Sequence, residues 1–149
     1  MKLTYKGDYA LKIILDLSLN YGKSLSQIKD ISQRQDIPKK FLEQIVLLLK
    51  GAKYINTIRG PKGGISLAKA PSEITLGEIV RLIEGPTSPI ACVSTTGYNQ
   101  CNFEKKCVFR NVWLDIKKRT NEVLDNTTFE DMVERTKKML GTSVPDFCI

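Results

Sequence analysis

The chain has no histidine anywhere in its 149 residues. That removes Ser-His-Asp and Cys-His catalysis within one chain, and every histidine-ligated zinc site with them. Long apolar runs are missing as well: nothing approaches the roughly 20 residues that span a bilayer. The opening residues, Met1-Lys2-Leu3-Thr4-Tyr5-Lys6, lack the apolar core of a signal peptide, so a cytoplasmic protein with no membrane partner is expected. There is no Gly-x-x-x-x-Gly-Lys loop to cradle phosphate and no carboxylate pair in a recognisable pocket, so an enzyme is not expected. Cysteine is absent from the first half: Cys92, Cys101, Cys107 and Cys148 all lie in the second.

What is present is divided as unevenly as the cysteines. Hydrophobic residues make up 42% and charged residues 26%, ordinary values for a chain that builds a core. The formal net charge is +7, and all of the excess sits at one end. Residues 1–70 carry 13 Lys+Arg against 5 Asp+Glu, whereas residues 71–149 carry 10 against 11. A basic half joined to a near-neutral half points to a polyanion-binding module attached to something else. The plainer alternative is a basic surface that aids solubility.

The pattern of apolar residues predicts a mainly α protein with a small β-hairpin. Residues 8–20 form a helix that is apolar nearly all round and therefore buried on more than one side. Ser24 or Ser26 is placed to cap a short second helix through about residue 33. A third helix begins near Pro38 and runs to about Lys50, with Leu42, Ile45, Val46 and Leu49 as its core stripe. Lys40, Glu43, Gln44 and Leu47 repeat the same spacing on another face, with Lys39 beside them. Strand formers at 54–59 and 65–69 flank Gly60-Pro61-Lys62-Gly63-Gly64, a hairpin with a mobile tip. Three helices and a hairpin in about 70 basic residues make a winged helix-turn-helix, in which the third helix enters the major groove. The wing brings Arg59 and Lys62 to backbone or minor groove, and its glycines permit close approach. Thr75 caps a fourth helix that Gly85-Pro86 stops. An aperiodic loop over 86–108 follows, then a long helix from about 109 to 124. Its Phe109, Trp113, Ile116, Thr120 and Val123 form a heptad-like seam, read as a dimer interface rather than packing within one chain. Phe129, Met132, Val133 and Thr136 mark a last short helix. The expected organisation is a DNA-binding domain over 1–85, a cysteine-bearing loop over 86–108, and a dimerisation helix with C-terminal segment over 109–149.

Four stretches in register carry a resemblance. Gly7-Asp8-Tyr9-Ala10-Leu11, Phe41-Leu42-Glu43-Gln44-Ile45, Arg59-Gly60-Pro61-Lys62-Gly63-Gly64-Ile65-Ser66-Leu67-Ala68 and Ile74-Thr75-Leu76-Gly77-Glu78-Ile79-Val80 resemble, in the same order, the bacterial winged-helix regulator family containing IscR, NsrR and CymR. The likeness is close over residues 1–85 and looser beyond. It implies a homodimeric transcriptional repressor on a pseudo-palindromic, double-stranded DNA operator. It also implies that Glu43 and Gln44 face bases and that Arg59, Gly60 and Pro61 enter the minor groove. The chemistry agrees: glutamine pairs bidentately with adenine, a carboxylate accepts from the cytosine amino group, and arginine suits a narrow minor groove. Lys39, Lys40 and Lys62 are left to neutralise phosphates.

Cys92, Cys101 and Cys107 lie on one irregular loop, with eight and five residues between them. Spacing alone leaves an iron–sulfur cluster, zinc, a reversible disulfide and inert thiols open. The resemblance favours the cluster, 2Fe–2S ahead of 4Fe–4S, sensing cluster, iron, redox or nitric oxide status. CymR-like members are cluster-free and work with a partner protein. Where IscR has a ligating histidine, this chain has Arg110. Asp8 matches an NsrR-type oxygen ligand from the opposite subunit and is the leading fourth ligand, with helix capping as its alternative role. Cys148 and Glu104 are lesser candidates.

Overall fold

The computed structural model describes residues 1–141. Its architecture is mainly α with a two-stranded hairpin wing, as the sequence pattern implies. In chain order the elements are α1 (Tyr5–Leu19), α2 (Ile28–Gln35), α3 (Lys39–Gly51), β1 (Ile55–Ile58), β2 (Gly64–Leu67), α4 (Leu76–Glu84), α5 (Arg110–Asp125) and α6 (Phe129–Leu140). Single 3-10 turns at Ala91–Val93 and Glu104–Lys106 punctuate the loop between α4 and α5. No helix among the described residues is long and apolar enough to cross a membrane.

The first helix is the hub. It packs against α2, α3, α4, α6 and β2, which is why its sequence is apolar nearly all round. Ala10, Ile13, Ile14 and Leu17 join Ile31, the α3 stripe and Phe129 in one core, and each fully buried Ile or Leu contributes about 2 kcal/mol. The helix starts earlier than its hydrophobic pattern suggests. Thr4 is the N-cap, its hydroxyl accepting the Gly7 N–H. Asp8 therefore lies inside the first turn and does not cap; it pairs with Lys12 at 2.8 Å.

Neither Ser24 nor Ser26 caps the second helix, which begins after Gln27. Ser26 instead exchanges backbone hydrogen bonds with Ile65 at 3.0 and 2.8 Å, so its backbone is spent on the outer edge of β2. The wing strands pair antiparallel from Ile55↔Leu67 to Ile58↔Gly64. Gly60 adopts φ +110°, and a Cβ at Gly63 would lie 2.0 Å from the Ile58 carbonyl oxygen, so this tip needs glycine at both positions.

The C-terminal helix is longer than its pattern suggested, at 12 residues, and it is not peripheral. Phe129, only 1% exposed, inserts into the main core. The starts of α4 and α6 lie back to back. Thr75 and Thr128 each cap their own helix with a reciprocal carboxylate, Glu78 and Asp131. Leu76 N–H donates to the Thr127 carbonyl and Phe129 N–H to the Ile74 carbonyl, both at 2.9 Å.

A charged group interrupts the core. Asp16 of α1 is fully buried and accepts two bonds from Arg34, at 2.8 and 3.0 Å, and one from Gln35 at 3.0 Å. Removing one partner of such a pair strands the other charge in a poorly solvated site. Asp16→Ala is therefore expected to cost about 3 kcal/mol in urea unfolding. A loss within the error of an exposed substitution would contradict a structural role for the pair.

Candidate nucleic-acid interface and cysteine loop

The buried stripe of α3 fixes what its other face offers. With Leu42, Ile45, Val46 and Leu49 turned inward, Lys39, Lys40, Glu43 and Gln44 are exposed. Arg59, Gly60, Pro61 and Lys62 are exposed at the wing tip, and β1 packs on α3. Glu43 is not isolated among these donors: the Lys39 ammonium lies 3.9 Å from its carboxylate, one turn away. That pair is solvent-exposed and worth little to stability, but it lowers the repulsion a lone carboxylate would meet near phosphate. The tip is held down from the side, since the Gln27 side-chain amide donates to the Gly63 carbonyl.

Sequence reasoning passed over an apolar feature beside this face. Phe41 projects outward and its ring lies 6.4 Å from that of Tyr9, which lies 6.2 Å from Tyr5. With Lys6, Gln44 and Ile45 these rings line a cleft of about 300 Å³ between α1 and α3. The signal was available, because Phe41 falls outside the core stripe.

The cysteine loop has more internal order than its aperiodic sequence suggests. Thr87 is buried, and its hydroxyl donates to the Asn121 side-chain oxygen of α5 at 2.6 Å. Glu104 accepts from the Tyr98 hydroxyl at 2.8 Å and from the Arg110 guanidinium at 2.8 Å. Those two partners hold the Glu104 carboxyl below the usual glutamate range, the tyrosine bond having the larger effect. Glu104 is thus engaged in closing the loop, and Arg110, the residue at the histidine position of the resemblance, closes it from α5.

Cys92, Cys101 and Cys107 are free thiols: Cys92 is buried, Cys107 half-buried and Cys101 exposed. Asp8 lines a shallow cavity with Lys2, Leu3, Thr4 and Tyr5 on another part of the surface. Three thiolates are a suitable donor set for an iron–sulfur cluster. Among the described residues, however, no three Cys, Asp or Glu side chains gather around a common point, so a single chain in this conformation does not present a finished cluster site. Cys148 lies outside the described residues. Exposure sets an order of reaction for the metal-free protein: Cys101 is expected to be alkylated first, Cys107 next and Cys92 last, as read by peptide mass spectrometry. Early modification of Cys92 would show that the loop opens in solution.

Comparison with known proteins adds an independent line. Residues 3–135 match the Rrf2 family, described as iron-dependent transcriptional regulators. The chain is 35% identical over 136 residues to the transcriptional regulator CymR of Bacillus subtilis, covering 91% of this chain and 92% of that one. The solved structure of that CymR, described as the global cysteine regulator, superimposes with a TM-score of 0.79 at 34% identity, covering 91% of this chain and 98% of that one. The transcriptional regulator IscR of Klebsiella pneumoniae is 33% identical over 133 residues, covering 89% of this chain and 80% of its own. An IscR structure from T. potens superimposes with a TM-score of 0.76 at 29% identity, covering 96% and 93%. The relatives are regulators and not enzymes, and the winged-helix fold, the DNA-binding role and the family all agree: the chain belongs to the Rrf2 family of transcriptional regulators.

Proposed function

We propose that the protein is a homodimeric repressor that reads a pseudo-palindromic operator, with its cysteine loop as the sensing element. The observation that carries the DNA reading is the exposed α3 face of Lys39, Lys40, Glu43 and Gln44 next to a glycine-built tip bearing Arg59 and Lys62. The lysines supply salt-dependent affinity, Glu43 and Gln44 supply base choice, and Arg59 with Gly60 and Pro61 occupies the minor groove.

Dimerisation is supported by α5. None of its residues is buried in one chain, and Phe109, Ile116 and Val123 of the seam stand exposed. An apolar row of that length on a helix marks a contact surface, and one winged-helix module covers only half of a symmetric site.

For the sensing chemistry we favour an iron–sulfur cluster, 2Fe–2S ahead of 4Fe–4S, held by Cys92, Cys101 and Cys107. Bound there, it would supply a centre sensitive to iron, oxidants or nitric oxide. The thiols are unpaired and share one loop, while Asp8 is outward-facing on α1 and suits a fourth, oxygen ligand given from one subunit to the other. Gathering these residues requires the loop to rearrange on loading. A second reading is favoured by the lack of a gathered site among the described residues and by the likeness to CymR: a cluster-free repressor governed by a partner protein. A zinc or thiol redox sensor is the third.

One measurement tests the DNA reading and a second separates the three sensing readings. In gel shifts, Arg59→Ala is expected to weaken binding to every duplex by about tenfold, whereas Glu43→Ala changes which duplex is preferred. Unchanged preference in Glu43→Ala would remove α3 from base reading. Purified without oxygen, the protein is expected to be coloured and to contain iron and sulfide, with Cys92→Ser, Cys101→Ser and Cys107→Ser each colourless. A colourless protein refractory to reconstitution supports the cluster-free reading, and a zinc-containing one supports the third.

A further inference from the structure

The geometry points to a base-reading role for two apolar residues of α3: we propose that Phe41 and Leu47 contact thymine 5-methyl groups in the major groove, flanking Gln44 at adenine. The inference rests on α3 being the DNA-reading helix.

Phe41 lies three residues before Gln44 and Leu47 three residues after it, so each adjoins Gln44 and the three form an oblique row across the exposed side of α3. Phe41 is 55% exposed and Leu47 69% exposed, although each carries a large apolar side chain. The core stripe of α3 turns neither inward. Uncovered, they leave apolar surface in water, with Leu48 at their side, on the helix that also presents lysine, glutamate and glutamine.

The surroundings say what covers them. Lys6, Lys39 and Lys40 border the row, in the half of the chain that holds the whole positive excess. Charge complementarity selects a polyanion. In the DNA major groove the apolar group on offer is the thymine methyl, and the groove also presents the adenine edge that a glutamine amide pairs with. The phenyl ring is held ready for such a contact, because it leans on Tyr9 at a 56° tilt and Tyr9 leans on Tyr5. The row therefore favours half-sites with adenine under Gln44 and thymines on adjacent steps, alongside the cytosine that Glu43 accepts from.

The test uses the intact protein and a duplex it selects from a randomised pool, synthesised once with thymine and once with deoxyuracil, which lacks the methyl. Wild-type protein is expected to bind the deoxyuracil duplex about fourfold more weakly for each methyl buried. Phe41→Ser and Leu47→Ser are each expected to narrow that difference, and the double variant to abolish it. Phe41→Tyr and Leu47→Met keep the apolar contact and should keep the discrimination, which guards against a mere folding defect. Equal affinity of wild-type protein for both duplexes overturns the inference while leaving DNA recognition by α3 intact. Full discrimination in the double variant overturns it too. So does a change in the mass of the free double variant by light scattering with discrimination unchanged, which would assign the row to a second copy of the chain. Wild-type protein that selects no duplex at all overturns the underlying reading instead.

Discussion

A carboxylate with no access to water sets the angle of the helix-turn-helix. Asp16 reaches out of the most buried helix and is held by Arg34 and Gln35 from the last turn of α2. A hydrophobic contact at that point would tolerate sliding, whereas a forked guanidinium on a carboxylate fixes both distance and orientation. Because the α3 stripe packs against α1 and α2 together, the angle this ion pair sets between those two helices is passed on to the exposed α3 face. The wing follows as well, since β1 lies on α3 and β2 is pinned along its other side by Ser26.

The two halves of the chain differ in chemistry but are not mechanically separate. Glu84, the last residue of α4, accepts from both the backbone N–H and the hydroxyl of Thr4, at 2.8 and 2.6 Å. These bonds, the hydroxyl's first, hold its carboxyl below the usual glutamate range. The residue that opens the cysteine loop region thereby grips the N-terminal cap of the hub helix. Beyond that region, Phe129 places α6 in the core of the basic N-terminal half. Basic charge and thiols are segregated along the sequence, yet one continuous packing joins them.

Parts of this were legible because they are periodic or rely on local turn chemistry. The α3 stripe, the Thr75 cap and the glycine tip of the wing all announce themselves within a few neighbouring residues. The spacing of the α5 seam was equally plain, and in one chain its Phe109, Ile116 and Val123 stand exposed while Trp113 and Thr120 are half-buried. What escaped was carried by bonds between distant segments. Ser26 resembles a helix cap until its backbone is seen paired with Ile65, 39 positions on. Asp8 drew attention as a fourth ligand with helix capping as its alternative role, and the capping falls to the nearby Thr4, which has the hydroxyl and the extended backbone to do it. The Tyr98–Glu104–Arg110 clasp leaves no periodic trace, since its members sit on a loop and a helix start. Phe41 is the opposite case: its place outside the α3 stripe is local and legible, but the Tyr9 ring it leans on comes from α1.

The back-to-back caps of α4 and α6 give the long helix a fulcrum. They hold the chain just beyond Asp125, while the start of α5 at Arg110 is tied to the cysteine loop through the Glu104 carboxylate and the Cys107 carbonyl. Sixteen helical residues make a stiff rod about 24 Å long, so a shift of about 2 Å at the loop rotates it by about 5° around that fixed end. In a two-fold assembly built on α5, such a rotation is doubled between the rods and alters the spacing of the two α3 helices.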